Sequence, residues 1–185
     1  MANPDRPNGF KPVKAMSGAP WNMLVRSVGV TDAADIFVGD ALKIASGLAL
    51  KMTTGAACLG VAVGFGRTPS GLMGEPGPWD VTNLENKYYE DAVETHTEWV
   101  VYYVPAEGVL FEAQTALALD LGIGETADIA DGGGSTTNGM SGMELTTSSS
   151  ADVVVVEHVT APDNDTSLTN ARHLVAFTST VVGQS

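Results

Sequence analysis

The sequence predicts a mainly β protein, a compact barrel or sandwich of short antiparallel strands with an extended N-terminal arm. Three observations predict it. The chain is rich in Gly, Ala, Thr, Ser and Val and poor in Lys, a composition that favours strands and turns over helices. Short β-branched or alternating runs recur along it, punctuated by Gly, Asp and Pro. The first 21 residues differ from the rest in both charge and texture.

That opening stretch, MANPDRPNGFKPVKAMSGAPW, reads as the arm. Asn3-Pro4, Arg6-Pro7 and Lys11-Pro12 each push the residue before the proline toward extended geometry. Fully extended, such a segment reaches about 70 Å. Phe10, Met16 and Trp21 distinguish it from a solvated tail, because disordered segments seldom carry spaced large apolar residues. Arg6, Lys11, Lys14 and Arg26 against Asp5 alone give the first 26 residues a charge of +3, while the other five bases and 21 acids give the remainder −16. A basic arm on an acidic body points to a contact beyond the body and to a binding or structural role.

The body, residues 22–185, starts with strand patterns in NMLVRSVGV, IFV, ALKI, LALKMTTGA and CLGVAVGF, with Gly39-Asp40 as a turn between the second and third. Leu59, Val61, Val63 and Phe65 alternate with Gly and Ala, which predicts a strand approached closely on its small-residue face. Residues 66–96 interrupt the pattern. Pro69, Pro76 and Pro78 mark a loop, and NLENKYYEDAVETH is acidic and compatible with a short helix. EWVVYYVP and VLFEAQ resume strand character, followed by ALALDLGIGETADIA, a glycine-rich turn region, MELTTSSS, ADVVVVEHVTAP and ARHLVAFTSTVV. The run VVVV lacks alternation and reads as a strand buried on both faces. PDNDTSLTN reads as a turn.

At 185 residues the chain fits one domain and is large enough to bury roughly 70% of its unfolded surface. Cys58, the lone cysteine, lies in an apolar run and reads as a small core residue. The N-terminus lacks the apolar stretch of a signal peptide, and no apolar window is long enough for a membrane span. The net charge of −13 argues against nucleic acid and anionic membranes as partners of the body.

No candidate chemistry reaches a complete pattern. Ser141 lies in GMSGM, but a nucleophile elbow requires glycine two residues after the serine and position 143 is Met. Gly122–Ala127 matches the loose G-x-G-x-x-A form, yet DIADGGG follows where a phosphate-binding helix is needed. His96, His158 and His173 are too few and too scattered to define a zinc site, although two of them fall on strands that can approach. Asp163, Asn164 and Asp165 offer oxygens without the rest of a calcium loop. The sequence therefore predicts no catalytic, cofactor or metal site. Trp79, Tyr88 and Tyr89 motivate a second reading, a glycan- or receptor-binding module of a virion appendage. A small hydrolase built on Ser141 and His173 is a third.

Four segments carry a resemblance: NPDRPNGFKPVKAMSGAPWN, IFVGDALKI, CLGVAVGF, and GETADIADGGGSTTNGMSGMEL with PDND and NARHLVAF beyond it. In this order and spacing the chain resembles the capsid decoration, or cement, proteins of tailed bacteriophages, over most of its length outside residues 66–96. The resemblance implies a non-enzymatic virion protein on the outer capsid surface. It implies that the major capsid protein is the partner, that several shell subunits are clamped together, and that the protein is often a homotrimer. The arm is then the stretch expected to meet the shell, through Arg6, Phe10, Lys11, Lys14 and Trp21.

Overall fold

The structure is a computed structural model that describes residues 2–31, 33–67, 87–91 and 99–181. The strands are β1 (Lys11–Ala15), β2 (Arg26–Gly29), β3 (Ile36–Phe37), β4 (Ala41–Ala45), β5 (Leu48–Lys51), β6 (Gly60–Arg67), β7 (Tyr88–Tyr89), β8 (Trp99–Pro105), β9 (Val109–Gln114), β10 (Thr126–Ala130), β11 (Glu144–Thr146), β12 (Val153–His158) and β13 (Arg172–Phe177). A single 3-10 turn, Trp21–Leu24, interrupts them among the described residues. It takes the front of NMLVRSVGV, so the strand expected there is shortened to β2.

Among the described residues, six strands form one sheet in the order β1-β9-β13-β12-β10-β11 and five form a second in the order β2-β8-β6-β4-β5. The ladders are antiparallel, and the two open sheets pack together as a sandwich. At its far edge β11 turns back toward the end of β9 through one bond, from Ala116 N to Leu145 O at 2.9 Å, which is too little to close the sheet. Between the sheets lies the main core, with Val61 and Val104 on one side and Phe111, Ile129, Val155 and Phe177 on the other. A second core packs Leu42, Phe65, Trp99 and Val101 of the five-stranded sheet with Ile36 and Tyr89 of the small β3–β7 ribbon.

Several sequence expectations are corrected by register. The alternation over 59–65 does not define one face of β6. A bulge between Ala62 and Gly64 shifts it, so Val61 faces the inter-sheet core while Phe65 enters the second core; Leu59, which precedes the strand, also packs in the second core. The small-residue prediction holds at Gly60, where a Cβ would strike the Val104 carbonyl and the Tyr103 ring. The run VVVV is not buried on both faces: Val153 and Val155 are buried, whereas Val156 is 37% exposed beside the bulge that precedes Glu157. Burial on both faces is found instead in β13, in which His173 through Phe177 are all buried.

Tyr88 and Tyr89, expected in a short helix, form strand β7 against β3. Residues 83–86 and 92–96 of that expected helix, which include His96, and the loop prolines with Trp79 lie outside the described residues. Cys58 is fully buried, as its apolar context predicted, and burial pushes its thiol well above the usual range.

Candidate functional site

The N-terminal segment is extended, but it lies on its own body and is stitched to it residue by residue. Asn3 is buried. Its side-chain amide donates to the carbonyls of Asp165 (2.8 Å) and Thr169 (3.0 Å), and its Oδ1 accepts from Asp165 N at 2.7 Å. Further along, Arg6 N donates to Gln114 Oε1 at 3.0 Å. Gly9 has φ +64°, and a Cβ there would strike the Gly39 carbonyl and the Ser141 side chain, so only glycine lets the two backbones approach. Phe10 N then donates to Gly39 O at 2.8 Å. From Lys11 to Ala15 the segment becomes β1, the edge strand beside β9.

This placement sorts the five residues expected to meet a partner. Phe10 is 1% exposed and packs on Phe177, with ring centroids 5.2 Å apart. It is committed to the inter-sheet core and is not available as an external anchor. Trp21 is half-buried against the same core at the start of the 3-10 turn. The anchoring role expected of these two residues is therefore directed inward: a large apolar side chain next to an unfilled core position gains more by entering it than by waiting in water. Arg6, Lys11 and Lys14 point to solvent. Lys14 reaches Glu157 of β12 at 2.9 Å, with both side chains about half exposed. Arg6 and Lys11 have no ion pair among the described residues.

The residues that hold this segment in place are mostly ones the sequence did not single out. Gln114, 5% exposed at the end of β9, uses its Nε2 to donate to Glu144 (2.9 Å) and Asp5 (3.2 Å) while its oxygen takes the Arg6 amide. Arg172 on β13 contacts Asp163 at 2.6 Å and Glu112 at 3.7 Å. One signal for the edge strand was legible. Lys-Pro-Val-Lys is how natural sheets protect an edge, since proline is confined to edges and lysine deters further pairing.

Beneath the joint sits Asp40, whose side chain is fully buried. Its Oδ2 accepts from Phe37 N at 2.8 Å and lies 3.8 Å from Lys51 Nζ, which also pairs with Asp131 at 2.7 Å. Burial pushes the Asp40 carboxyl up to about 6, against the opposing pull of Lys51, the Ser141 hydroxyl and the Phe37 amide. Ser141 itself is 1% exposed, and its Oγ accepts from Met143 N at 3.0 Å. It is part of the joint and does not sit at the top of a strand-to-helix turn.

His158 and His173 are register partners on β12 and β13, with their Nδ1 atoms 3.1 Å apart. Burial, and then the neighbouring His158, push His173 down to about 4. Asn164 spends its side chain on Val159 O, Arg172 O and Arg172 N. Asp165 accepts from Ser167. These oxygens build the turn, and no metal-holding cluster of His, Cys, Asp and Glu occurs among the described residues. Gly122–Glu125 is a turn closed by the Glu125 carboxylate, which accepts from Gly122 N at 2.8 Å, and Thr126 and Ala127 already belong to β10. Tyr88 stacks one face on Phe37 at 4.9 Å and stays partly exposed, whereas Tyr89 is fully buried and is not available to a ligand.

The arrangement thus offers a hydrogen-bonded N-terminal segment with two cations that have no ion pair among the described residues, Arg6 ahead of β1 and Lys11 on it, in a chain of net charge −13. Comparison with known proteins finds no matching family model, no matching curated protein and no matching solved structure.

Proposed function

We propose that this chain is a non-enzymatic virion structural protein, a capsid decoration protein that binds the outer surface of an icosahedral phage head and stabilises contacts between major capsid protein subunits. The observation that carries the reading is the N-terminal segment: fixed into the sheet edge by Asn3, Phe10 and β1, it displays Arg6 and Lys11, without an ion pair among the described residues, from a chain of net charge −13. A cation held on a strand loses less conformational freedom on binding than one on a free tail, so each contact it makes is worth more. Repeated on every copy, such an edge gains from multivalency on a lattice. The acidic remainder keeps decorated particles apart. The resemblance to decoration proteins in order and spacing of segments supports the same reading.

Its test is cosedimentation of the purified chain with expanded, empty shells of the phage that encodes it, with copy number and shell melting temperature measured together. Saturation in proportion to the shell lattice, with a raised shell melting temperature, is the expected result. A handful of copies per shell would point instead to an appendage, and no binding would remove the reading.

A further inference from the structure

Between the N-terminal segment and the ends of β9 and β13 lies a notch of about 200 Å3. Arg6, Asn8, Lys11, Glu112, Gln114 and Arg172 line it, so three of the chain's nine Lys and Arg residues converge there. The three cations are not equivalent. Arg172 is held by Asp163 and Glu112. Arg6 and Lys11 are exposed and unpaired among the described residues, on backbone fixed by the Arg6 N–Gln114 bond and the β1 ladder. The floor, Gln114, has both ends of its amide occupied by Arg6 N, Glu144 and Asp5 and cannot collapse into the notch.

We propose that this notch is a carboxylate site: it receives one Asp or Glu side chain from an acidic segment of a partner protein, gripped between the Arg6 guanidinium and the Lys11 ammonium. A fork of guanidinium donors matches a carboxylate in geometry, and charge-assisted bonds of this kind are the strong ones. Local charge sets the sign of the ligand. Arg6, Lys11 and Arg172 against Glu112 leave the rim positive by two, while Asp5, Glu144 and Asp163 stand behind it and weaken the attraction of any anion in proportion to its charge. The commitment to a carboxylate rests on the size of the notch and on the fit of the guanidinium fork to a planar carboxylate. The volume suits a single side chain. The identity of the partner as a shell subunit rests on the decoration reading above, while the chemistry of the notch does not.

The experiment titrates the isotopically labelled full chain with a hexaglutamate peptide and follows the backbone amides of Arg6, Asn8, Lys11 and Gln114 by NMR. Saturable shifts at these amides are expected, with the Kd raised about tenfold in the Arg6→Gln/Lys11→Gln variant. That variant keeps the fold, since the body uses only the backbone N–H of Arg6. Lys43→Gln, which changes a lysine on β4 away from the notch, leaves the Kd unchanged. Absence of shifts, shifts indifferent to the double substitution, or equal binding of inorganic phosphate would each overturn the proposal. Shell cosedimentation on the same samples separates the two readings. Peptide binding without shell binding keeps the notch and removes the decoration role. Shell binding without peptide binding removes the notch alone.

Discussion

Asp40 and Asp128 are both screened from solvent, Asp128 fastening the loop after β11 and Asp40 following Gly39, which the N-terminal segment meets, yet their carboxyls are pushed in opposite directions. At Asp128, on β10, burial raises the pKa but is outweighed by hydrogen bonds. Ser149 N and Oγ at 2.7 Å, Ser150 N at 2.9 Å and Ala151 N at 2.7 Å all donate to it, and the carboxyl is held below the ordinary range. Asp40, under the joint of the N-terminal segment, receives one backbone amide and the Ser141 hydroxyl, with a lysine 3.8 Å away, and burial wins. Two things decide: more donors are aimed at the Asp128 charge, and Asp40 lies deeper beneath the surface. The loop after β11 is consequently fastened by an ionised group, whereas the joint beneath β1 sits over a group that is near neutrality in mildly acidic solution.

The sharpest way to break this comparison is Asp128→Ala. It leaves four donors without their acceptor in a part-buried site and should cost roughly 3 kcal/mol, read as a fall in the denaturant midpoint at constant slope. A loss under ~1 kcal/mol would mean that water replaces the carboxylate and that the loop is not fastened as described.

Phe10→Ala is expected to cost about 3–4 kcal/mol, as a large-to-small substitution in a core does. A near-neutral outcome would show that the N-terminal segment is not part of the folded body. For the same reason, removing residues 1–21 should destabilise the chain rather than simply free a tail.

Asp40→Asn has the smallest effect at neutral pH. The amide oxygen still takes the Phe37 N–H, Lys51 keeps Asp131, and the burial cost of the charge disappears. The signature is in the pH dependence. Because the folded-state pKa of Asp40 is raised from 3.8 to about 6, the native state binds the proton more tightly. Its contribution is therefore most favourable below pH 4 and falls as pH rises to 6. On the scale of about 1.4 kcal/mol per pH unit, the stability difference between Asp40→Asn and the parent should change by roughly 3 kcal/mol across that window. His173 acts in the opposite sense. Its folded-state pKa is lowered from 6.5 to about 4, so its contribution is lost as pH falls through that range. A flat difference curve for Asp40→Asn would contradict the assignment of Asp40 as the less satisfied carboxylate.

The strand content, the Gly39-Asp40 turn and the burial of Cys58 were legible because each rests on local pattern: β-branched runs, turn residues and an apolar context. The bulges in β6 and β12 were not, since an inserted residue is invisible until its partner strand is known. The same limit applies to the joint. Charge and proline content marked the N-terminal segment as distinct, but whether Phe10 faces a partner or its own core depends on a cavity lined by Phe177, which is 167 residues away in sequence. Asn3 and Gln114 carried no signal at all, because their importance comes from the backbone groups that topology brings to them. The outward cations were read from charge alone and remain outward in the fold.

The central claim is that the N-terminal segment turns its apolar residues inward and meets its partner through Arg6 and Lys11. The most direct measurement is the affinity of the Arg6→Gln/Lys11→Gln variant for expanded shells, beside its denaturant midpoint. The account predicts an unchanged midpoint with shell binding reduced about tenfold or more; parental affinity in a folded variant would contradict it.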